Sequence, residues 1–163
     1  MTREALAARA AALLRDNDRG RYTIPSARLY PHQWAWDSAF AAIGWLHLDP
    51  DRALLELDTL LAGQWEDGRI PHIQFHIPSA DYFPGPASWG TEHSSTITNP
   101  PVRTLALQRI FDAGHHRDAI AALLPKVART HLFFHAQRDP LNWGAVVTVH
   151  PWENGLDNCP AWD

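Results

Sequence analysis

The fold of this chain is decided by residues 37–63, which read DSAFAAIGWLHLDPDRALLELDTLLAG. Apolar residues recur at helical spacing on both sides of a central Asp49-Pro50 pair: Phe40, Ile43 and Leu46, then Leu54, Leu57, Leu60 and Leu61. This spacing predicts one helix from Asp37 to Leu48 and a second that ends before Gly68. Asp49 can cap the second helix, with Pro50 in its first turn. The stretch therefore predicts a pair of helices with a very short connection.

Helices joined by long, proline-rich connections are also predicted for the rest of the chain. Helical spacing recurs in residues 2–20, after Thr2, and in residues 99–114, where Asn99-Pro100 repeats the cap-and-proline pattern. It recurs again in residues 116–137, which are predicted to form a helical hairpin interrupted at Pro125. Residues 69–98 are rich in proline and aromatics and form a long loop, and residues 145–150 form a short strand or an extended connection. The pattern indicates an all-α toroid or solenoid with long loops on one side rather than a closed bundle.

The composition of the chain excludes several classes of protein. Its 163 residues carry a formal net charge of −4 without a cluster of Lys and Arg, which argues against a nucleic-acid surface. Cys159 is the only cysteine, so an intrachain disulfide is impossible and a reducing compartment is expected. No stretch approaches the ~20 apolar residues of a membrane span, and no signal-type segment is found. A soluble, cytoplasmic protein of one domain is expected, with its oligomeric state left open.

The last part of the sequence combines carboxylates with indoles. It reads His150-Pro-Trp-Glu-Asn-Gly-Leu-Asp-Asn-Cys-Pro-Ala-Trp-Asp163. Indole rings stack on the apolar faces of sugars, while a carboxyl group shielded from water keeps its proton and can donate it to a leaving oxygen. The segment therefore indicates sugar chemistry. Because the cluster reaches the last residue without a polar tail behind it, we expect the chain to be the front part of a longer protein.

A second cluster, Tyr30-Pro-His-Gln-Trp-Ala-Trp-Asp37, allows two interpretations. In the first, Asp37 is the N-cap of the following helix and both Trp34 and Trp36 belong to the core. In the second, Tyr30, Gln33, Trp34 and Asp37 place aromatic planes and hydrogen-bonding groups on one short loop that can bind sugar hydroxyls. A third cluster of the same kind, Gln64-Trp-Glu-Asp-Gly-Arg-Ile-Pro-His72, lies at a helix end.

The histidines do not favour a metal site. His131 and His135 lie one helical turn apart, but Leu132-Phe-Phe134 between them indicates a buried helix, and no His-Glu-x-x-His motif occurs. His72 and His76 share the spacing in a proline-rich loop. We therefore expect neither a metal ion nor another cofactor. Cys159 precedes Pro160 without a helix N-terminus to activate it, which does not favour a nucleophilic role.

Three blocks of the sequence resemble glycoside hydrolase family 63, and within it the bacterial mannosylglycerate hydrolase group. They are Tyr30-Pro-His-Gln-Trp-Ala-Trp-Asp-Ser-Ala-Phe40, Trp65-Glu-Asp-Gly-Arg-Ile-Pro-His72 and the His150 to Asp163 segment, in the same order as in that group. The resemblance implies an incomplete (α/α)6 barrel, formed by residues 1–163 as the N-terminal portion of a single catalytic domain truncated at its C-terminus. It also implies hydrolysis of α-linked sugars with inversion, on mannosylglycerate, glucosylglycerate or α-glucosides.

The resemblance also implies roles for particular residues. Asp157 matches the general acid, whereas the family's general base is a Glu far toward the C-terminus, so this chain alone is expected to have little or no activity. Substrate contacts are expected from Tyr30, Gln33, Trp34, Trp36, Asp37, His72, Asn99, Trp152 and Glu153. Around Asp157 we expect Trp152 and Trp162 to exclude water and Glu153 to disfavour ionisation by repulsion. The loop from Arg69 to Thr98 is expected to form the pocket rim or a lid.

Departures from the family pattern leave two other classes open. Asn154 stands where the family usually has Ser, and Asn99 stands where related enzymes usually have Gln, which shortens one substrate contact. The absence of the general base allows a non-catalytic carbohydrate-binding protein that kept the aromatic loops. A helical scaffold whose Trp residues all lie in the core is the other alternative, and it predicts that no sugar quenches Trp fluorescence.

Overall fold

The computed structural model describes residues 1–78 and 82–162, apart from the side chain of Trp162, and this part of the chain is mostly helical. The helices are α1 (Arg3–Asp16), α2 (Ala35–Leu46), α3 (Pro50–Ala62), the single turn α4 (Pro86–Trp89), α5 (Arg103–Asp112) and α6 (Arg117–Gln137). Strands β1 (Gln33–Trp34) and β2 (Ile73–Gln74) pair antiparallel, and 3₁₀ turns lie at Pro151–Glu153 and Pro160–Trp162. The predicted all-α class is confirmed. Among the described helices, none is both long and apolar enough to cross a membrane.

The core is formed where α2 packs between α3 and α5. Small side chains on α2, Ala39 and Ala42, are fully buried and let the neighbouring helices approach closely. They meet Leu57 and Leu60 of α3 and Ile110 of α5, which are also fully buried. Burying each large aliphatic side chain contributes roughly 1.5–3 kcal/mol. The helix pair predicted around Asp49-Pro50 is therefore the centre of the fold.

Hydrogen bonds confirm the predicted cap at Asp49 and show a second helix cap at Thr2. The Thr2 side chain accepts from Ala5 N at the start of α1, and Asp49 accepts from Arg52 N at the start of α3. α3 ends at Ala62, before Gly68 as predicted, and Gly63 follows as its C-cap. Glycine loses more backbone freedom than other residues in a helix, which favours termination there.

Three further predictions about the elements are corrected or resolved. α6 runs unbroken through Pro125, so the predicted hairpin is wrong; Ile120, Leu123 and Val127 are buried on both sides of the proline and hold the helix together. Asn99 is not a cap, since α5 begins only after Val102 and the Asn99 amide donates to Trp152 O instead. Residues 145–150 form an extended connection rather than a strand.

A buried carboxylate ties the loop before α2 to α3. Glu56 is fully buried and forms an ion pair of 2.9 Å with Arg52 one helical turn away. Its oxygens also accept hydrogen bonds from Thr23 (2.8 Å), Ser38 (2.6 Å) and Gln33 (3.2 Å). Since a buried charge is stable only when it is paired and hydrogen-bonded, this network holds β1 in place at the start of α2.

Candidate active site

Loop residues and the first turn of α2 surround a cavity of about 450 Å³. The cavity is lined by Pro25, Tyr30, Trp34, Trp36, Asp37, His72, Ile73, Tyr82, Phe83, Pro84, Asn99, Trp152, Gly155 and Asp157. Eight of the ten residues expected from the sequence to act on a substrate belong to this set. The three sequence blocks, far apart along the chain, therefore meet at one place. The remaining two expected residues, Gln33 and Glu153, lie behind the wall.

One wall of the cavity is built from aromatic rings held at right angles to each other. The Trp34 ring lies 5.3 Å from Tyr30 and 5.6 Å from Tyr82, both edge to face. Behind them, fully buried His32 packs edge to face on Tyr82 at 5.0 Å. Burial, together with nearby Tyr30, raises the pKa of Tyr82 to about 12, so its hydroxyl remains a neutral hydrogen-bond donor. The wall offers apolar faces with a polar edge, as sugar rings require.

A second aromatic group surrounds His72, which lines the cavity together with Trp152. The His72 ring lies 5.4 Å from Trp89 and 6.1 Å from Trp152. Burial, followed by the effect of His150, lowers the pKa of His72 to about 3. His72 is therefore neutral at ordinary pH, and it can hydrogen-bond a ligand without attracting it by charge.

Asp37 faces the cavity from the first turn of α2. The helix begins at Ala35 and its N-cap is Trp34, which makes no side-chain cap bond, so the interpretation of Asp37 as the N-cap is wrong. Burial raises the pKa of Asp37, and hydrogen bonds from its own backbone N–H and from the Trp36 side chain oppose that rise. The position near the positive end of the helix dipole favours a carboxylate. Asp37 is thus held where it can contact a ligand in the cavity.

Asp157 enters the cavity from a tight turn after the 3₁₀ segment. The Asn154 side chain accepts from Leu156 N at 2.9 Å, and Gly155 has φ +71°, which turns the chain toward the cavity. Asp157 itself is exposed, so the shielding expected from Trp152 is not observed. Trp162, the other expected shield, has a side chain outside the described residues. The turn places the Asp157 carboxyl at the cavity rim.

Glu153 was expected to contact the substrate, but it does not line the cavity. It is buried, and Glu153 Oε1 forms an ion pair of 2.8 Å with Arg138 and accepts from Thr98 N at 3.2 Å. Its second oxygen accepts from Val149 N at 3.0 Å. The charge is therefore neutralised by Arg138 and is not free to repel that of Asp157. Glu153 ties the segment that carries Asp157 to the end of α6.

We expect Glu153→Gln to lower the free energy of unfolding by about 2 kcal/mol, because a hydrogen bond to a charged group contributes roughly 1.5–3 kcal/mol. Urea unfolding followed by Trp fluorescence measures the change. Glu92→Gln is the matched control, since Glu92 pairs with His93 at the surface, with 89% of its side chain exposed, and should lose almost nothing. Equal stability of the two variants would contradict the role given to Glu153.

Gln33 is also a supporting residue rather than part of the cavity surface. It is fully buried, its amide nitrogen donates to Ser38 and Glu56, and its carbonyl oxygen accepts from His76 Nε2 at 2.7 Å. Successive residues of a strand point to opposite faces. Gln33 of β1 therefore points into the protein while neighbouring Trp34 lines the cavity.

Six of the lining residues were not expected from the sequence, among them Pro25 and Ile73, which lie outside the three sequence blocks. Tyr82, Phe83 and Pro84 come from the long loop that was expected to form the rim, but no pattern singled them out individually. Gly155 was quoted within a motif without a role of its own. A Cβ at Gly155 would lie 2.5 Å from Trp36 Cη2, so only glycine allows this approach. Its signal would have been a glycine between two candidate ligands, Glu153 and Asp157.

Within residues 1–78 and 82–162, no group of three or more His, Cys, Asp and Glu side chains is arranged to hold a metal ion. His131 and His135 were considered above as a possible metal-binding pair. In the structure, His131 Nε2 lies 3.0 Å from Thr104 Oγ1 and forms a hydrogen bond with it. Burial, followed by nearby Arg103, lowers the pKa of His131. Cys159 is half-buried.

Comparison with known proteins finds relatives that are named as glycoside hydrolases. The family model described as "Mannosylglycerate hydrolase MGH1-like glycoside hydrolase domain" matches residues 30–163. Mannosylglycerate hydrolase MGH2 of Selaginella moellendorffii is 46% identical over 93% of this chain and 33% of its own length. Glucosylglycerate hydrolase of Mycolicibacterium hassiacum is 45% identical over 97% of this chain and 40% of its own.

Solved structures show the same relationship in three dimensions. The GH63 mannosylglycerate hydrolase from Thermus thermophilus, in complex with Tris and D-glycerate, matches 97% of this chain and 40% of its own, with a TM-score of 0.92 and 46% identity. The same enzyme in complex with glucose matches with a TM-score of 0.82. At this identity the likeness extends beyond the general fold.

Paired helices with a cavity built by their loops are the features that this chain shares with the glycoside hydrolases it matches. The expected fold, an incomplete (α/α)6 barrel, is confirmed by the superposition on the Thermus enzyme. The chain belongs to the mannosylglycerate hydrolase MGH1-like group of glycoside hydrolase family 63. It spans between 33% and 40% of the length of these relatives.

Proposed function

We propose that the protein to which this chain belongs hydrolyses small α-linked glycosides with inversion, and that Asp157 is the general acid. The carrying observation is that Asp157 and Asp37 face one cavity together with the indoles of Trp36 and Trp152. Indole faces stack on the apolar side of a pyranose, while the carboxyl groups bind hydroxyls or exchange a proton with the glycosidic oxygen. This combination supports glycoside chemistry more than a purely structural use of the Trp residues.

The two carboxyl groups of the cavity suit different tasks. Asp157 lies exposed at the rim on a turn, where it can reach a leaving group that points out of the pocket. Asp37 is held on a helix and sits deeper, which suits binding of sugar hydroxyls. An inverting enzyme also needs a carboxylate about 6.5–9.5 Å from the acid to deprotonate water. We propose that a Glu in the remaining part of the relatives' length supplies it, so that residues 1–163 act as the N-terminal portion of one catalytic domain.

The proposed substrates are mannosylglycerate and glucosylglycerate. Relatives of more than 40% identity are named as hydrolases of one or the other. The Thermus neighbour binds D-glycerate and, in another crystal, glucose. In this chain Asn99 and neutral His72 offer hydrogen bonds to the ligand, while the aromatic wall of Tyr30, Trp34 and Tyr82 covers a sugar face. An α-linked hexose joined to a small hydroxy acid fits both features.

An anomer-resolved NMR assay of the full-length protein with each substrate tests this proposal. Release of the β-anomer of the hexose as the first product is expected for inversion. The α-anomer as the first product would overturn inversion while keeping hydrolysis. Sugar binding that quenches Trp fluorescence without turnover would point to the non-catalytic carbohydrate-binding alternative, and no binding at all to a helical scaffold. The 163-residue chain alone is expected to bind weakly and to turn over little or nothing.

A further inference from the structure

His72 is held from behind by a serine that does not line the cavity. His72 Nδ1 lies 2.5 Å from Ser95 Oγ, and Ser95 Oγ also accepts a hydrogen bond from Ile73 N at 3.1 Å. Ser95 is fully buried and His72 is 3% exposed. In the part of the chain that the structure describes, the Ser95 hydroxyl has no other partner. With Nδ1 engaged, Nε2 is the polar atom of His72 that remains for the cavity.

The proton positions follow from counting donors and acceptors at Ser95. A serine hydroxyl has one proton to donate and two lone pairs to accept with, and Ile73 N–H already occupies one lone pair. If His72 Nδ1–H donated to the other lone pair, the Ser95 proton would be buried without an acceptor, which is unfavourable. If Ser95 instead donates to His72 Nδ1, every group is satisfied. The ring proton of the neutral imidazole then lies on Nε2.

We propose that Ser95 is a positioning residue, which fixes His72 as the Nε2–H tautomer so that a neutral N–H donor points into the cavity. The effect of this tautomer on ligand binding rests on the proposed function, since the N–H donor would select an acceptor oxygen of the bound glycoside. A carboxylate or hydroxyl oxygen of the hydroxy-acid part can accept the hydrogen bond from His72 Nε2–H. A protonated amine in that place could not accept it, because it is itself only a donor. Burial lowers the pKa of His72 to about 3, which keeps the ring neutral over the working range.

The tautomer can be measured without any substrate. In full-length protein labelled with ¹⁵N-histidine, long-range ¹H–¹⁵N spectra at neutral pH distinguish the two neutral tautomers and the imidazolium, and the His72 signals are assigned by their loss in His72→Gln. The expected result is protonated Nε2 and unprotonated Nδ1. A wild-type His72 that carries its proton on Nδ1, or that is charged, would overturn the proposal.

The Ser95→Ala variant extends the test to ligand binding. Loss of the Ser95 donor should mix the two tautomers of His72 and raise KM by about tenfold, with a smaller change in kcat, because a ligand hydrogen bond of ordinary strength is weakened. Ser94→Ala is the control, since the neighbouring Ser94 hydroxyl bonds to Trp65 Nε1 and not to His72. An unchanged tautomer and KM in Ser95→Ala would refute the role of Ser95. The expected tautomer without turnover of any glycoside would keep that role and remove the proposed function.

Discussion

Asp157→Asn in the full-length protein is expected to lower kcat by about 10³-fold, within the 10²–10⁴-fold that a general acid contributes. The substitution keeps the shape of the side chain and removes the proton that the leaving oxygen needs. Because the aromatic walls and Asp37 are untouched, the Kd of the product hexose should change by less than about threefold. This is well below the tenfold change in Kd that a loss of about 1.4 kcal/mol in binding free energy would cause. Steady-state kinetics and Trp-fluorescence titration measure the two quantities separately.

The choice of substrate and control makes this test specific to proton donation. An activated glycoside, whose leaving group departs without a proton, should recover most of the lost rate in Asp157→Asn. Asp118→Asn is the matched control, because Asp118 is exposed in the first turn of α6, away from the cavity residues. Retention of full activity by Asp157→Asn, or an equal loss with both kinds of substrate, would rule out Asp157 as the acid.

The helical framework could be predicted from the sequence where local signals agree with burial. The Asp49 cap, the proline after it and the leucines of α3 all indicate the same helix pair, and the structure contains it. Pro125 shows the opposite case. A proline is read locally as a helix break, but it removes only one backbone hydrogen bond and adds a clash, which tertiary packing can outweigh. Burial of Val127 and its neighbours on α6 does so here.

The site could be predicted as a set of motifs but not as a surface. The motifs contain eight residues that face the cavity, because aromatic and carboxyl side chains occur together in them. The same motifs contain Gln33 and Glu153, which are polar but point inward to Glu56 and Arg138. A linear motif does not show in which direction each side chain points. In β1, successive side chains point to opposite faces, so Gln33 points into the protein while Trp34 faces the cavity. Partners such as Arg138 become visible only when distant segments are packed together.

Gly155→Ala is expected to lower kcat/KM of the full-length protein by about 100-fold, the loss typical of a misplaced binding group. A Cβ at this position would lie 2.5 Å from Trp36 Cη2, far inside the 3.5–4.0 Å at which carbon atoms attract. Trp36 must then move, or the turn that carries Asp157 must move away from it. Either shift separates Asp157, the proposed acid, from the Trp36 indole that is proposed to bind the sugar. We therefore expect kcat/KM to fall while the circular dichroism spectrum, which reports secondary structure, stays unchanged.

Two further variants separate the contact from the backbone effect. Gly144 has φ +72°, close to the +71° of Gly155, but a Cβ there would meet nothing within 4 Å. Gly144→Ala therefore carries the same left-handed strain, about 1–2 kcal/mol, without the clash, and should keep most of the activity. Trp36→Phe shortens the ring and removes Cη2, so Gly155→Ala in that background should cost much less than in the wild type. Equal losses for Gly144→Ala and Gly155→Ala, or strictly additive losses with Trp36→Phe, would show that contact with Trp36 is not what places Asp157.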